Sequence, residues 1–214
     1  FSDELNHASL IDGIRLSNAN KIVYPHLDFE KLARLLRRSV CEGQKFLVTE
    51  SLFSMDGTIA PLDKYAEICH ETNTVLIIDE AHAVGIYGEE GSGLIEKFGL
   101  AHDLISVNTA GKALGVSGAF VAGSADLIEF LINRCRSFIF STAPLPVCAA
   151  VLSEAIGIVQ TEPERRKRLL NLSGYFRNLL EENGFAVSHE TTQIIPILIG
   201  ESRNAVVIAQ KLQN

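Results

Sequence analysis

The sequence predicts an α/β fold with a largely parallel sheet buried on both faces. Apolar runs of strand length occupy residues 46–48, 75–78, 104–107 and 119–122. Between them, residues 29–36 and 62–71 carry apolar side chains at helical spacing. Uninterrupted apolar strands that alternate with helices are typical of a parallel sheet covered by helices on both sides.

Three of these strands are followed by a polar residue that could bind a ligand or take part in catalysis. Glu50, Asp79 and Thr109 each lie just past a predicted strand. In open α/β sheets, ligands bind beyond the carboxyl ends of the strands. We therefore expect these three residues to meet at one edge of the sheet and to border a binding site.

The pattern changes near residue 146, and we predict two regions. Residues 1–146 form a large domain, and residues 147–214 form an interdomain helix and the start of a small α+β domain. The second region is expected to contain a long apolar helix over 147–159 and a charged helix over about 161–183 that ends at Gly184. Strands are predicted at 185–187 and 194–199, and a further helix begins near 205. Because the chain starts at Phe1 and ends within this helix, we expect a piece of a longer protein, truncated at both ends.

Composition excludes several classes of protein. The net charge is -7, whereas a protein that binds nucleic acid backbones normally carries a basic surface. No apolar run reaches the roughly 18 residues of a membrane span. The four cysteines are scattered, without the paired spacing of a metal or redox site. We expect no metal, and we interpret the cysteines as buried thiols of a cytoplasmic protein.

Lys112 is the most informative residue. It stands in the small-residue run GKALG at 111–115, downstream of the run DEAHA at 79–83. Pyridoxal 5'-phosphate (PLP) requires a lysine that forms a Schiff base with its aldehyde, and an acid such as Asp79 that pairs with its ring nitrogen. His82 can reach the ring hydroxyl, and Thr109 can offer its hydroxyl to the phosphate. The ordered pair of runs therefore predicts a PLP site.

Other interpretations of these runs are weaker. The run DEAH also occurs in nucleic-acid helicases, but those need an upstream G-x-x-x-x-G-K-[ST] loop, which this sequence lacks. Asp79 and His82 could be an ordinary strand-end acid and turn histidine, and Lys112 could be a surface lysine. His7 alone is more often structural. Residues 136–142 would usually form a buried strand or loop.

Taken together, the motifs resemble the α-oxoamine synthases, PLP-dependent transferases with the aspartate aminotransferase-like fold (fold type I). The matching pieces occur in family order over about two thirds of the chain: SDELNHAS at 2–9, TESLFSMDG at 49–57, DEAHA at 79–83, GKALG at 111–115 and FIFST at 138–142.

The resemblance implies a role for each site residue. Lys112 would hold the cofactor and later move the Cα proton of the amino acid substrate, and His7 would stack on the pyridine ring. Asp79 would pair with the ring nitrogen. Further contacts would come from His82 and Ser54 at the ring hydroxyl, from Thr109 at the phosphate, and from Ser141 and Thr142 at the phosphate of the neighbouring subunit. Because members of this family are dimers with sites at the subunit interface, the resemblance also implies a homodimer with shared active sites.

Within the family, the runs SGA at 117–119, LINR at 131–134 and RSFIFSTA at 136–143 look most like the branch that serves biotin biosynthesis. That branch condenses L-alanine with a pimeloyl thioester of coenzyme A or acyl carrier protein. Sister enzymes join glycine to acetyl or succinyl thioesters, or serine to a long acyl thioester. From a different class, the chain could be a non-catalytic partner subunit of the same fold. The family also has segments before and after this stretch, which supply further cofactor and dimer contacts and the arginine that grips the substrate carboxylate.

Overall fold

A computed structural model describes residues 1–100, 104–188 and 190–213. Strands and helices alternate through the first two thirds of the chain, and helices dominate the remainder. The strands are β1 (Ser2–Asp3), β2 (Val23–Tyr24), β3 (Lys45–Glu50), β4 (Thr74–Asp79), β5 (Leu104–Thr109) and β6 (Ala119–Ala122). The helices are α1 (Ala8–Leu16), α2 (Phe29–Arg38), α3 (Leu62–Glu71), α4 (Leu94–Lys97), α5 (Ala125–Arg134), α6 (Arg136–Ile139), α7 (Pro146–Thr161), α8 (Pro163–Glu182) and α9 (Ser202–Leu212).

The strands form one sheet in the order β2-β1-β3-β4-β5-β6. Pairing is parallel from β2 through β5, and β6 runs antiparallel to β5. The predicted α/β fold with a largely parallel sheet is thereby confirmed, as are the four predicted strands. The sequence does not predict β1 and β2, because a strand of two residues has no measurable periodicity.

The main core lies between the sheet and the helices α2 and α3. Leu32 and Leu36 of α2 and Tyr65 of α3 are fully buried, as are Leu47 and Ile78 of the neighbouring strands. Local signals set the ends of α2: the side chain of its N-cap, Asp28, accepts a hydrogen bond from Lys31 N at 2.8 Å. An acidic N-cap satisfies a free amide at the start of a helix and complements the helix dipole.

The C-terminal region departs from the prediction at two places. Helices α7, α8 and α9 are present as expected, and Gly184 follows α8 with a positive φ of 80°. However, residues 185–187 and 194–199 are not strands. A strand requires a partner that pairs with its backbone. Here the Arg177 side chain of α8 donates to the carbonyls of Ser188, Thr192 and Ile194 at 2.7, 3.0 and 3.4 Å, so that a side chain rather than a neighbouring strand contacts the backbone at and beside these segments.

One alternative interpretation and one expectation about burial are wrong. Residues 136–142 contain the short helix α6 rather than a buried strand or loop, and Phe138 and Phe140 are 63% and 75% exposed. Of the four cysteines, which are all free, only Cys69 is buried. Cys41 is exposed because it follows α2 in a polar turn, where its thiol donates to the Gly43 carbonyl.

The described residues show neither a membrane-spanning helix nor a metal-binding cluster. Within residues 1–100, 104–188 and 190–213, no helix has both the length and the apolar character needed to cross a bilayer. In the same residues, no group of three or more His, Cys, Asp or Glu side chains is arranged to hold a metal ion.

Candidate active site

Strand register brings the predicted residues to one edge of the sheet. Glu50 is aligned with Asp79 in the β3–β4 pair, and Asp79 is aligned with Val107 in the β4–β5 pair. Thr109, the last residue of β5, lies two positions further along. The expectation that the strand-end residues meet at the carboxyl edge is therefore confirmed.

Asp79 is a buried carboxylate, 8% exposed, at the end of β4. Its Oδ1 accepts a hydrogen bond from Ala81 N at 2.8 Å, which fixes the side chain against the turn that follows. Among the described residues, no cationic side chain forms an ion pair with it. A buried carboxylate is costly without a positively charged partner. The position therefore suits a ligand that presents a protonated nitrogen.

His82 lies in the turn after Asp79 and is half-buried. Burial lowers the pKa of His82, the positive charge of Lys112 lowers it further, and Asp79 opposes these effects. His7 contributes a smaller lowering. A neutral imidazole can donate from one ring nitrogen and accept at the other.

Lys112 lies on the loop between β5 and β6. The loop is closed by hydrogen bonds from Ala110 N to Gly118 O at 2.9 Å and from Val116 N to Ala110 O at 3.0 Å. Ala110 and Leu114 are buried, and with Val84 they pack against α7. The loop is thus anchored on both sides of Lys112, whereas the lysine itself is exposed. An anchored loop with an accessible amine is the arrangement that a Schiff-base lysine needs.

The turn after His82 packs closely against the lysine loop. A Cβ atom at Gly85 would lie 3.0 Å from the Cβ of Ala113, and Gly85 has a positive φ of 82°. Small residues at both positions therefore let the turn and the loop approach each other. The sequence predicted this need for small residues around Lys112.

Glu50 belongs to the site, although it is absent from the predicted cofactor contacts. Its Oε1 accepts a hydrogen bond from His7 N at 2.6 Å. Burial raises the pKa of Glu50 to about 7, and the nearby Asp79 charge adds to this, while hydrogen bonds from His7 and Ser54 and the charge of Lys112 oppose it. Glu50 therefore links the end of β3 to the start of α1. The signal that pointed to it was its position directly after a predicted strand.

His7 is the N-cap of α1, and its side chain is exposed. The ring Nδ1 accepts from Ser9 N at 3.2 Å and lies 2.8 Å from Ser9 Oγ. The Glu50 contact fixes the backbone at His7, and the Ser9 contacts fix one ring nitrogen. The ring is held from one side, so that its faces are free to pack against a planar ligand.

The hydroxyl of Thr109 shows whether the site is suited to a phosphate. Its Oγ1 is buried and has no hydrogen-bond partner in the described part of the chain. A buried hydroxyl without a partner is costly, and a phosphate oxygen would satisfy it. Together with Asp79, it fits a ligand with a protonated ring nitrogen and a phosphate, as PLP has.

Ser141 and Thr142 are not brought to this cluster within one chain. Both are exposed in the segment after α6, and Ser141 Oγ donates to Phe138 O at 3.2 Å. The described contacts connect neither residue to His7, Asp79 or Lys112. Their predicted role requires a second subunit and remains a prediction.

Comparison with known families agrees with the fold and the motifs. A model of the family "aminotransferase class I and II" matches residues 1–214. The chain belongs to this family. Its fold is the PLP-dependent aminotransferase fold with a mostly parallel sheet.

Curated relatives support a narrower grouping. The chain is 47% identical over 213 residues to 8-amino-7-oxononanoate synthase of Lysinibacillus sphaericus, covering 99% of this chain and 55% of that protein. It is 42% identical to 8-amino-7-oxononanoate synthase 2 of Bacillus subtilis strain 168, covering 100% of this chain and 54% of that protein. The chain thus spans about half the length of these relatives. The names confirm the resemblance to α-oxoamine synthases.

Solved structures give the same grouping. A serine palmitoyltransferase from S. paucimobilis, solved with a bound PLP–myriocin aldimine, superposes with a TM-score of 0.94 at 28% identity over 99% of this chain and 56% of that chain. An 8-amino-7-oxononanoate synthase from Francisella tularensis superposes with a TM-score of 0.85 at 32% identity, covering 100% of this chain and 62% of that chain.

Proposed function

We propose that this chain carries the cofactor-binding part of an enzyme of the 8-amino-7-oxononanoate synthase type. The reaction joins L-alanine to pimeloyl-CoA, or to pimeloyl acyl carrier protein, and yields 8-amino-7-oxononanoate, CO2 and the free thiol carrier in biotin biosynthesis. The observation that supports it best is the close packing of the turn after Asp79, which carries His82, against the loop that carries Lys112, in a chain 47% identical to a relative of that name.

PLP would supply an electron sink that stabilises negative charge at the Cα of the amino acid. The residues of this chain would hold and orient it. Asp79 would keep the ring nitrogen protonated, because a buried carboxylate favours a positively charged partner. Thr109 would donate its unpaired hydroxyl to the phosphate. His82 and Ser54 would contact the ring hydroxyl, and His7 would cover one face of the ring.

Lys112 would act twice. Its amine would first bind the cofactor covalently and then, once displaced by the substrate amine, would move the proton at Cα. The anchored loop described above would keep the amine within reach of Cα after displacement. Glu50 would support this arrangement indirectly, through its hydrogen bond from His7 N.

A homodimer with shared sites is part of the proposal. Apolar side chains of α6 and α7 are exposed in the single chain, including Phe138 at 63% and Val147 at 60%. Exposed apolar patches of this kind are typical of interaction surfaces. A second copy seated there would bring Ser141 and Thr142 towards the neighbouring phosphate. We place the enzyme in the cytoplasm, since its cysteines are free.

Subunit complementation would test the shared site. One subunit carries Lys112→Ala, and the other carries Ser141→Ala with Thr142→Ala. If the sites are shared, a mixed dimer contains one intact site and regains activity, whereas each homodimer is inactive or weakly active. A mixed dimer no more active than the weaker-impaired homodimer would show that Ser141 and Thr142 do not act across the interface.

Substrate choice is tested by titrating the PLP-loaded full-length protein separately with L-alanine, glycine and L-serine. The visible absorption of the cofactor is followed, and pimeloyl-CoA, acetyl-CoA, succinyl-CoA and palmitoyl-CoA are then added. The largest response to L-alanine, with turnover only on pimeloyl-CoA, is the expected result. A preference for glycine or L-serine would transfer the chain to a sister activity. Absence of any lysine-bound cofactor band would favour a non-catalytic subunit.

A further inference from the structure

Gln193 bridges two parts of the active-site region that are distant in the sequence. Its Nε2 donates to the backbone carbonyl of His82 at 2.8 Å. Its Oε1 accepts from the hydroxyl of Tyr87 at 2.7 Å. A single side chain from the segment after α8 therefore contacts both His82 and Tyr87 of the loop that follows β4.

The polarity of this bridge is fixed by its partners. A backbone carbonyl can only accept, so the amide nitrogen of Gln193 must face His82. The amide oxygen then faces Tyr87, which must donate. Burial raises the pKa of Tyr87 to about 12, so its hydroxyl keeps the proton that this hydrogen bond requires. The arrangement leaves one orientation for the amide.

The neighbouring residue, Thr192, makes a parallel contact with the other loop of the site. Its Oγ1 donates to the carbonyl of Gly57 at 3.0 Å. A Cβ atom at Gly57 would lie 2.7 Å from Ile194 O, and Gly57 has a positive φ of 67°. Glycine at this position therefore permits close approach of the two backbones. The same loop carries Ser54, three residues earlier.

The segment that makes these contacts is itself held firmly. Arg177 and Ser173 of α8 both donate to the carbonyl of Thr192. Both side chains are buried, and so is Thr192. The backbone at 192–193 is thus fixed against α8, and it can therefore restrain the loops that it contacts.

We propose that Gln193 is a positioning residue, which holds the His82 turn in place through the His82 backbone carbonyl and thereby sets the imidazole against the cofactor. Thr192 fixes the Ser54 loop in the same way, so that the two predicted contacts to the ring hydroxyl share one support. This inference rests on the proposed function, because it concerns how His82 meets PLP. Gln193 itself touches no reacting atom in this assignment.

The test compares three single variants of the full-length, PLP-loaded protein. Gln193→Met has nearly the same volume and loses both hydrogen bonds without adding a charge. Tyr87→Phe removes only the Tyr87 bond. Gln160→Met is the matched control, on the exposed face of α7. The readouts are the pH midpoint at which the visible band of the lysine-bound cofactor changes, kcat with L-alanine, and the KM for the acyl thioester.

Gln193→Met is expected to shift the pH midpoint and to lower kcat about tenfold, which corresponds to about 1.4 kcal/mol of activation free energy. The KM for the acyl thioester should change little. Tyr87→Phe should give a smaller effect in the same direction, and Gln160→Met should give none. Thermal unfolding of each variant separates these effects from general loss of the fold. If Gln193→Met does not fold, Gln193→Ala takes its place, because it removes the same two hydrogen bonds; a shifted midpoint then supports the inference, and an unshifted midpoint overturns it.

Two results would overturn the inference while the proposed function stands. One is a Gln193→Met enzyme with the midpoint and kcat of the wild type. The other is a Tyr87→Phe enzyme that reproduces the whole effect of Gln193→Met, because the hydrogen bond to His82 would then contribute nothing to the midpoint or to kcat. If the wild type itself forms no lysine-bound cofactor band, both the proposed function and this inference fail. The spectrum of the wild type therefore distinguishes the two failures.

Discussion

The carboxylate of Glu80 occupies the space that a Cβ atom at Gly93 would need. Glu80 is fully buried, and its two oxygens accept from Leu94 N at 2.8 Å and from Ile95 N at 3.0 Å, at the start of α4. Gly93 has a φ of 125°, in a region that favours glycine. This pair therefore closes the loop over residues 81–93, which contains the His82 turn.

Replacement of Gly93 should destabilise the protein more than replacement of a glycine that also has a positive φ but has no atom close to the position of a Cβ. Gly93→Ala should lower the free energy of unfolding by about 3 kcal/mol, because it adds backbone strain and displaces the Glu80 carboxylate. Gly99 has a positive φ of 67° and nothing within 4 Å of a Cβ. Gly99→Ala should therefore cost only about 1 kcal/mol. Urea unfolding measures both, and equal losses would contradict the role of Glu80.

The sequence predicted the sheet edge because that information is local. An apolar run shows where a strand ends, and parallel pairing places consecutive strand ends side by side. Glu50, Asp79 and Thr109 could thus be assigned to one edge before the register was known. Small residues around Lys112 likewise indicated a loop that packs closely, and Gly85 and Ala113 do approach each other.

The contacts that join the C-terminal region to the site could not be predicted in this way. Gln193 and His82 are separated by 111 positions, and their hydrogen bond depends on how α8 packs. The apolar run over 194–199 predicts a strand, yet the polar residues just before it are used in side-chain contacts with two loops. A local apolar pattern indicates that a segment is buried, but it does not indicate which other segment packs against it.

Lys112 should be the only lysine needed for covalent attachment of the cofactor. Lys112→Ala should abolish both turnover and the cofactor that borohydride reduction fixes to the chain, because no other amine lies on the anchored loop. Lys21→Ala, at an exposed position before β2, is the control and should retain both. Mass spectrometry after borohydride treatment locates the adduct. A normal adduct in Lys112→Ala would show that a different lysine serves the site.

Stability should depend on pH through Glu50. Its pKa rises from 4.5 to about 7 on folding, so the folded protein binds this proton more tightly than the unfolded chain does. The resulting contribution to stability is complete below about pH 4, and it is lost as the pH rises to about 7. Glu50→Gln cannot titrate, so its free energy of unfolding should decline less across this window.

Comparison with a surface residue isolates the effect of Glu50. Glu181→Gln, on the exposed side of α8, should follow the wild-type pH dependence, since all other titrating groups are shared. Denaturant unfolding at several pH values from about 4 to about 8 gives the free energy of unfolding of the three proteins as a function of pH. This range spans the ordinary pKa values of carboxyl groups and histidine. Parallel curves for wild type and Glu50→Gln would mean that Glu50 has an ordinary pKa in the folded protein.

Thr109→Val should separate cofactor binding from stability. The buried Thr109 hydroxyl has no partner in the described part of the chain, so its removal should leave the PLP-free protein equally stable or slightly more stable. With PLP, the variant loses a hydrogen bond to a charged phosphate, worth about 1.5–3 kcal/mol. The dissociation constant of PLP should therefore rise about tenfold or more.

Thr72→Val is the opposite case and serves as the control. Thr72 Oγ1 donates to Ile68 O at 2.6 Å, at the end of α3 and away from the lysine loop. Its removal should lower the stability of the PLP-free protein by about 1 kcal/mol and leave the PLP affinity unchanged. Fluorescence titration gives the affinities, and urea unfolding gives the stabilities. If Thr109→Val binds PLP as tightly as the wild type, the phosphate lies elsewhere, and the unpaired hydroxyl is only a local cost of the fold.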